Sequence, residues 1–390
     1  MRISYFNYHY DVEGIGIGAA TQVRAIAAAL TRRGHQVDLQ FRVPRQPGEN
    51  KQYGGLKEFG WARRYGHIPR IFLRNFSLFP RELQLLDSFR PDVVLSVCSY
   101  INFSALLAAR LRRLPFVLFI EAPLEYEYRL FFPQYYRYPL LGRWLEGLQV
   151  RGARQVISIS EILKGYLMRY DAPAHEIHVV PNGVDHLAFT PQEPDPELRD
   201  RWGLKERLVI GYIGSFEFLG DIPLFLASAK RICAAHSRVV FFMVGEGRHQ
   251  EEVRQGAADF GLKDRFLFPG RIPHAQVPRY LSLMDLVISP YREDYLFYGS
   301  SMKLLEYMAA GKVVLAPALG QIKELVVDGY NGMLYEPGEP GAMELKLQEL
   351  IGSGRLPRMG FNARQTIERN WTWDLQAARI SRVLELALNP

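Results

Sequence analysis

The chain of 390 residues is 48% hydrophobic and 23% charged, which is the composition of an ordinary globular protein and predicts two or three domains. Its two cysteines, Cys98 and Cys233, lie far apart, which argues against a disulfide framework or a cysteine-type zinc site and fits a reducing, cytoplasmic setting. The N-terminus lacks the apolar segment of a secretory signal, and no apolar run reaches the roughly 18 residues that a membrane-spanning helix needs.

The net charge of +7 is concentrated in the first half of the chain. Residues 1–190 contain 24 lysines and arginines and 16 acidic residues, whereas the remainder contains 24 and 25. A basic half that is also rich in aromatic residues is compatible with a nucleic acid, a polyanion or an anionic membrane surface as a partner. It is equally compatible with a solvated surface that has no dedicated partner.

The N-terminal residues predict a strand, a glycine-rich turn and a helix. Residues 2–6 form the strand, Gly14, Gly16 and Gly18 lie in the turn, and the helix runs from about Ala19 to Arg33. Glycines at such a turn let a ligand lie close to the backbone at the helix N-terminus. A dinucleotide-binding fingerprint is disfavoured, because the third glycine is misplaced and no acidic residue clearly ends the next strand.

Two stretches combine arginines with aromatic residues, at positions 68–79 and 129–154. The first could lie on a bilayer with its rings inward and its guanidinium groups at the lipid headgroups, or it could be an ordinary helix with its aromatic face in the core. Residues 92–97 and 115–120 predict buried strands separated by a helix over 104–113. Glu121 stands at the carboxyl end of the second of these strands, where parallel sheets place ligand-binding groups.

Residues 190–207 are rich in proline and charge, and they predict a linker between two domains. Strands and helices alternate again after it, beginning with a strand over 208–213, a helix over 222–235 and a strand over 239–244. Apolar strands without alternation indicate parallel sheets that helices cover on both faces. The sequence therefore predicts an α/β fold of two Rossmann-like, doubly wound domains, with a ligand site in the cleft between them.

The stretch 298–316 predicts a polar loop, a helix and a buried strand. Gly299, Ser300 and Ser301 precede the helix, so their backbone N–H groups and the first-turn Lys303 are suited to an anion. Glu306 lies three residues after Lys303 on a neighbouring surface, where its carboxylate could bind a sugar hydroxyl. A nucleotide diphosphate sugar would satisfy both groups. The alternative is a capped amphipathic helix with a surface Lys–Glu pair.

Taken together, these features resemble the GT-B glycosyltransferases, in particular the retaining family 4. The resemblance covers nearly the whole chain and rests on the order and spacing of short motifs at 181–185 (PNGVD), 245–247 (GEG), 270–272 (GRI), 303–312 (KLLEYMAAGK) and 324–332. It implies an acceptor-side domain over 1–190, a linker over 191–207 and a nucleotide-sugar-binding domain over 208–368. A C-terminal helix within 369–390 would then cross back to the first domain.

The resemblance also implies roles for individual residues. Glu306 would bind the ribose, Arg271 and Ile272 would lie against the base, and the loop around Gly16 and Gly18 would close over the phosphate. The diphosphate and sugar would be bound by Gly214, Ser215, Gly245, Gly299, Ser300, Ser301 and Lys303. The two catalytic candidates are Glu121 and Lys303.

Three positions depart from the pattern of many relatives. Tyr298 stands where a second carboxylate would precede Glu306, and the loop over 214–220 lacks the cation that relatives commonly carry there. Glu121 stands where many relatives have a histidine near the reacting sugar, so it is either a polar contact to the sugar or a structural residue. The diphosphate would depend on Lys303 and backbone N–H groups, with Arg248 or Arg292 as further candidates.

The implied activity is retaining transfer of a sugar from a UDP- or GDP-linked donor to a glycan, a lipid-linked acceptor or a small molecule. The resemblance implies no cofactor, no metal site and no nucleic-acid partner. The basic charge of the first domain predicts an anionic membrane surface as a further partner. The protein would then be cytoplasmic and bind peripherally to the inner face of the membrane. The alternatives are a GT-B protein that binds a nucleotide sugar without transferring it, and a sugar-nucleotide epimerase.

Overall fold

The computed structural model describes residues 1–11, 17–42, 67–99, 102–131, 139–216, 220, 222–291 and 296–389. The chain divides into two compact units. The first contains Met1–Asn182 together with Trp373–Pro390, and the second contains Gly183–Thr372. Each unit has its own six-stranded sheet, so the predicted fold class, two doubly wound parallel-sheet domains, is confirmed.

The sheet of the first unit has the strand order β2-β1-β3-β4-β5-β6, and all neighbouring strands run parallel. The strands are Arg2–Asp11 (β1), Gln36–Arg42 (β2), Val93–Val97 (β3), Phe116–Ile120 (β4), Gln155–Ser158 (β5) and Ile177–Val179 (β6). The helices are Ile17–Arg32 (α1), His67–Phe89 (α2), Ser104–Leu111 (α3), Leu124–Phe131 (α4), Pro139–Gly152 (α5) and Glu161–Leu167 (α6). Strands β3 and β4 are buried at every residue, as expected of central parallel strands that are covered on both faces.

The C-terminal helix, Trp373–Leu388, belongs to the first unit, although the chain passes through the whole second unit before reaching it. It packs against α1, where Arg32 forms a salt bridge of 2.7 Å with Asp374 and His35 Nε2 lies 2.9 Å from Ser381 Oγ. Its buried face, which includes Ile380 and Leu384, closes the core on that side of the sheet.

The sheet of the second unit has the order β12-β11-β10-β7-β8-β9, again with parallel neighbours. The strands are Leu208–Ile213 (β7), Val239–Val244 (β8), Phe266–Gly270 (β9), Leu286–Ile288 (β10), Val313–Pro317 (β11) and Gly332–Tyr335 (β12). The helices are Pro196–Arg201 (α7), Ile222–Ala235 (α8), Gln250–Asp259 (α9), Val277–Ser282 (α10), Met302–Ala309 (α11), Ile322–Leu325 (α12), Ala342–Ile351 (α13) and Leu356–Asn370 (α14); the C-terminal helix Trp373–Leu388 is α15.

The predicted division at 190 and the predicted linker over 191–207 differ from the observed units, because these residues lie inside the second unit. Helix α7 falls in this stretch, and the Asp195 side chain caps its N-terminus by accepting a hydrogen bond of 2.9 Å from Leu198 N. Phe189, Leu198 and Leu204 are buried in the core of the second unit. The charged and proline residues that indicated a linker surround these apolar anchors.

Helix bounds also differ by a few residues from the predicted ones. Helix α1 begins at Ile17 rather than near Ala19, so Gly18 lies inside its first turn. Helix α3 ends at Leu111, and Arg113 has a positive φ of 56° where the chain turns toward β4. Among the described residues, none of the helices combines the length and the apolar character that crossing a bilayer requires.

Candidate active site in the second unit

The site lies where the strand order of the second sheet reverses. The chain adds β8 and β9 on one side of β7 and then returns to place β10 on the other side. In open parallel sheets, ligands bind outside the carboxyl ends of the strands at such a point. Here the carboxyl ends of β7 and β10 continue into Gly214-Ser215-Phe216 and Ser289-Pro290-Tyr291.

Helix α11 is held against this point by Tyr307. The Tyr307 side chain is fully buried, and its hydroxyl accepts a hydrogen bond of 2.8 Å from Ile213 N while donating to Ile213 O. Residues four apart lie on the same face of a helix, so Lys303 lies on the same face as Tyr307, one turn nearer the start of α11. This face packs on Ile213 and on Gly214, the residue that follows it. A Cβ atom added to Gly214 would be 3.3 Å from Lys303 Nζ.

Lys303 is enclosed by two tyrosines. Its Nζ donates a hydrogen bond of 3.1 Å to Tyr212 Oη and lies 4.8 Å from the ring centroids of both Tyr212 and Tyr291. Burial by itself would lower the pKa of Lys303, but the tyrosine oxygens favour the ammonium and keep its pKa above the usual value. The Tyr212 hydroxyl in turn donates to Ser215 O at 2.6 Å. The result is a positive charge fixed beside the loop that follows β7.

The loop before α11 contacts one of these two tyrosines, Tyr291, through a serine hydroxyl. Ser301 is the N-cap residue of α11, but its hydroxyl lies 2.6 Å from Tyr291 Oη instead of capping the helix. Ser300 is buried, whereas a Cβ atom added to Gly299 would meet nothing within 4 Å. The first-turn N–H groups of a helix have no partner within the helix, so those of α11 are donors that a ligand could use.

Glu306 is paired with a histidine rather than with Lys303. Glu306 Oε1 lies 2.8 Å from His274 Nε2, and the carboxylate side chain is only 13% exposed, against 43% for the histidine. The imidazole also packs on Phe189, with ring centroids 5.5 Å apart. The hydrogen bond to Glu306 raises the pKa of His274, against a smaller opposing effect of burial.

Gly214 and Gly245 bring two backbone segments together. Gly245 follows β8 with φ of +132°, and a Cβ atom there would lie 1.9 Å from Gly214 O, a distance that no side chain could tolerate. Gly214 N donates to Val244 O at 3.0 Å, and Gly245 N donates to Gly270 O at 2.9 Å. This packing by itself explains why position 245 requires glycine.

Arg271 and Ile272 follow β9 at the same edge of the sheet. Arg271 is exposed, and Ile272 is half-buried against the core. The next turn, His274–Gln276, carries the histidine that reaches Glu306. The structure therefore brings the GRI segment and helix α11 to one place, through a residue that the sequence did not single out.

The candidate residues Glu121 and Gly18 belong to the first unit. Glu121 directly follows β4 and is half-buried, and its charge adds to burial in raising the pKa of Tyr5, which lies on β1. Gly18 is in α1, whereas the prediction for Gly16 lies outside the described residues. Of the further cations considered for the diphosphate, Arg248 is exposed, and Arg292 lies outside the described residues.

Sequence reasoning missed Tyr212, Tyr291 and His274. Tyr212 belongs to an apolar strand and has the appearance of a core residue, and His274 follows the GRI segment without a local pattern of its own. Their roles come from contacts between residues far apart in the chain. Tyr212 pairs with Lys303, 91 residues later, and His274 pairs with Glu306, 32 residues later. Within the described part of the chain, no group of three or more His, Cys, Asp or Glu residues could hold a metal ion.

Comparison with known proteins identifies two families along the chain. Residues 17–186 match Glycosyltransferase Family 4, and residues 207–353 match Glycosyl transferases group 1. The alpha-D-kanosaminyltransferase of Streptomyces kanamyceticus is 24% identical over 57% of this chain and 58% of its own length. A GDP-mannose-dependent alpha-(1-6)-phosphatidylinositol monomannoside mannosyltransferase of Mycolicibacterium smegmatis is 25% identical over 54% and 57%. The chain thus spans less than two thirds of the length of these curated relatives.

Solved structures match over the whole chain. The sucrose-phosphate synthase of Thermosynechococcus elongatus has a TM-score of 0.72 at 19% identity, covering 99% of this chain and 98% of its own. The Anabaena protein Alr3699/HepE in complex with UDP has a TM-score of 0.71 at 18% identity, covering 99% and 100%. These matches establish the fold, and the two family matches establish the lineage of both halves. The chain belongs to the group 1, family 4 glycosyltransferases and has their GT-B fold.

Proposed function

We propose that this protein is a retaining glycosyltransferase that moves a sugar from a UDP- or GDP-linked donor to a glycan, a lipid-linked acceptor or a small molecule. The observation that carries the proposal is the pair of groups on helix α11. Lys303 provides a fixed ammonium beside Gly214, and Glu306 provides a carboxylate aligned by His274 one turn away. A nucleotide sugar carries both a diphosphate and a ribose diol, so one molecule could bind both groups.

The proposed role of Lys303 is electrostatic. Transfer of the sugar leaves negative charge on the departing diphosphate, and a cation that is already in place lowers the barrier without reorganising at the moment of reaction. Lys303 is fixed by Tyr212 and Tyr291, so its ammonium needs no rearrangement. Together with backbone N–H groups at the start of α11, it would neutralise the diphosphate without a metal ion or other cofactor.

The proposed role of Glu306 is to accept hydrogen bonds from the ribose hydroxyls. Oε1 is bonded to His274, which leaves Oε2 as the acceptor. Arg271 and Ile272 would lie against the base, and Gly214, Ser215, Gly245, Gly299, Ser300 and Ser301 would line the diphosphate and sugar. Retention would follow from front-face attack, with the leaving phosphate helping to remove the acceptor proton. Glu121 of the first unit would contact the reacting sugar.

Proteins that are similar to this chain support the donor class. One relative is GDP-mannose-dependent, and structures of the Anabaena protein contain UDP or UDP-glucose. We also propose a cytoplasmic location at the inner face of a membrane, because the first half of the chain carries the positive charge and both stretches that combine arginine with aromatic residues.

The experiment is incubation with UDP- and GDP-sugars and a panel of acceptors, followed by analysis of nucleotide and sugar. Release of nucleotide together with a new α- or β-glycoside of retained configuration supports the proposal. Binding without turnover would support a binding protein, and a changed sugar on intact nucleotide would support an epimerase.

Calorimetry with the Glu306→Ala variant tests the site itself. Loss of a charged hydrogen bond should weaken nucleotide binding by about 1–3 kcal/mol. Glu344→Ala is the matched control, because Glu344 of α13 forms a salt bridge with Arg231 instead. Equal affinity of the Glu306→Ala variant and the unaltered protein would remove Glu306 from the donor site.

A further inference from the structure

Helix α4 has no capping side chain in its own sequence. It begins at Leu124, three residues after Glu121, and it is preceded by Ala122 and Pro123. A helix usually follows a serine, threonine, aspartate or asparagine whose side-chain oxygen accepts a hydrogen bond from a first-turn N–H group. Alanine and proline side chains have no such oxygen. The first-turn donors of α4 therefore need an acceptor from elsewhere in the chain.

Glu146 of helix α5 provides that acceptor. Its Oε1 accepts a hydrogen bond of 3.2 Å from Leu124 N, and its Oε2 accepts one of 3.2 Å from Glu125 N. The two oxygens of one carboxylate thus bind two successive N–H groups at the positive end of the helix dipole. Glu146 is only 1% exposed. A buried side chain of α5 therefore fixes where α4 begins.

Two tyrosines hold the Glu146 carboxylate in turn. Tyr170 Oη donates a hydrogen bond of 2.7 Å to Oε2, and Tyr166 Oη lies 3.4 Å from the same oxygen. Tyr166 belongs to α6, and Tyr170 belongs to the 3-10 turn that follows it. Tyr170 also packs on the backbone of α5, where a Cβ atom added to Gly147 would be 2.9 Å from its ring. The carboxylate therefore has partners on two sides that restrict its movement.

A second buried carboxylate, Glu125, belongs to the same network. Glu125 is 3% exposed, and its Oε2 accepts a hydrogen bond of 3.0 Å from Arg169 Nη2 and lies 3.3 Å from Tyr166 Oη. Burial raises the pKa of Glu146 to about 7, and the charge of Glu125 adds to this effect. The fold thus keeps an ionisable cap where burial disfavours its charge. Ionisable groups in such surroundings are common near functional sites.

The cap bears on the proposed site because Glu121 lies between two fixed points. On one side, strand β4 is paired with β5 as far as Ile120. On the other side, Leu124 is bonded to Glu146. Only three residues, 121–123, lie between these points, and the last of them is a proline, whose ring restricts the backbone. The position of Glu121 therefore depends on where Glu146 holds the start of α4.

We propose that Glu146 is a positioning residue of the transfer reaction, which holds Glu121 at the reacting sugar by capping α4 from α5. The inference rests on the proposed function, because that function gives Glu121 its contact with the sugar. Glu146 itself is enclosed by protein, so it acts through the segment 121–124. Its loss should slow turnover and change the KM for the donor little, since the nucleotide is assigned to the second unit.

Hydrogen exchange tests the cap without any turnover. Glu146→Gln keeps the shape of the side chain but replaces one accepting oxygen by an NH2 group, so one first-turn N–H group loses its acceptor. At about pH 8.5, where the Glu146 carboxyl is ionised, the peptide that contains Leu124 and Glu125 should exchange about fivefold faster than in the unaltered protein. The matched control is Glu82→Gln. Glu82 is a buried carboxylate of α2 that accepts a hydrogen bond from Ser104 instead, so its loss should leave this peptide unchanged.

A double-mutant cycle on turnover tests the link to Glu121. Glu146→Gln should lower kcat by about tenfold, but it should have no further effect in a Glu121→Gln protein, where the residue through which it acts is already lost. A general structural defect would lower kcat by the same factor in both backgrounds. Tyr170→Phe removes only the hydrogen bond of 2.7 Å to Glu146, so it should show the same pattern in weaker form even if Glu146→Gln folds poorly.

The outcomes separate this inference from the proposed function. Equal factors in both backgrounds, an unaltered kcat of Glu121→Gln or Glu146→Gln, or unaltered exchange of the α4 peptide would each overturn the inference while transfer itself stands. Absence of transfer by the unaltered protein would reject the proposed function. The exchange experiment would then still decide whether Glu146 holds the segment that carries Glu121.

Discussion

His274 Nε2 lies 2.8 Å from Glu306 Oε1, and this contact joins the turn after β9 to the helix that carries Lys303. The half-exposed imidazole of His274 orients the mostly buried carboxylate of Glu306. The contact occupies one carboxylate oxygen of Glu306 and leaves the other for the ligand of the proposed donor site. The arrangement assigns His274 a positioning role rather than contact with the reacting atoms.

The first prediction concerns the pH dependence of this pair. Because the pKa of His274 is raised in the folded state, the imidazolium stabilises the fold below its unfolded pKa of about 6.5, and this stabilisation is lost as pH rises through the raised folded pKa. His274→Gln keeps a hydrogen-bond donor without the charge. Its deficit in the free energy of unfolding, at most about 1 kcal/mol for an exposed pair, should be larger at pH 6 than at pH 9. A deficit that is the same at both pH values would contradict the ion pair.

The second prediction separates charge from fold at Lys303. Lys303→Met keeps the length of the side chain and removes the ammonium, so turnover should fall by about 10²- to 10³-fold. Thermal stability should change little, because the removal of a buried charge offsets the loss of the hydrogen bond from Lys303 Nζ to Tyr212 Oη. Lys312→Met is the control: its Nζ donates to Met284 O at 2.7 Å, away from the site, so it should lower stability and leave turnover largely intact. Turnover of Lys303→Met within about twofold of the unaltered protein would exclude the electrostatic role.

The third prediction tests the backbone packing of Gly245. Gly245→Ala places a methyl group 1.9 Å from Gly214 O at a φ of +132°, so the loops after β7 and β8 must separate. We expect a loss of more than about 2 kcal/mol in urea unfolding. Gly261→Ala shares a positive φ, of +75°, but has nothing within 4 Å, so it isolates the cost of the backbone conformation. Equal losses for the two variants would show that the close contact carries no energy.

The fourth prediction concerns Glu146, which is buried in the first unit. Burial raises its pKa to about 7, although Tyr170 Oη, which donates at 2.7 Å, and two backbone N–H groups favour the carboxylate. Between the reference pKa of 4.5 and about 7, the folded state binds more protons than the unfolded state. The free energy of unfolding should therefore fall, by up to about 3 kcal/mol from this group, as pH rises through that window.

Glu146→Gln should flatten this part of the pH profile, as measured by urea unfolding at several pH values. Glu349→Gln, at an exposed residue of α13 that pairs with Arg355, should leave the profile as it is. A Glu146→Gln profile parallel to that of the unaltered protein would show that the pKa of Glu146 is the same in the folded and unfolded states.

The predicted strands and helices followed from local patterns. The bounds of β7, α8 and β8 agree with the sequence prediction because each is a compact apolar run bounded by polar residues or glycine. The stretch 190–207 shows the limit of composition as a guide. Its prolines and charges indicated a linker, but burial of Leu198 and Leu204 places it in the second unit. Burial of two apolar side chains in a neighbouring core stabilises this position of the segment, even though most of its residues are hydrophilic.

The sequence by itself determined the helix that carries Lys303 and Glu306, because helical spacing is a local property of the chain. Only the tertiary structure decided their partners. Lys303 is enclosed by Tyr212 and Tyr291, from the ends of β7 and β10, and Glu306 is bonded to His274. These contacts form because the chain returns after β9 and places β10 beside β7. No local sequence pattern encodes this strand order. Hydrogen bonds and burial act through space, so the partners of a charged side chain are set by which strands become neighbours.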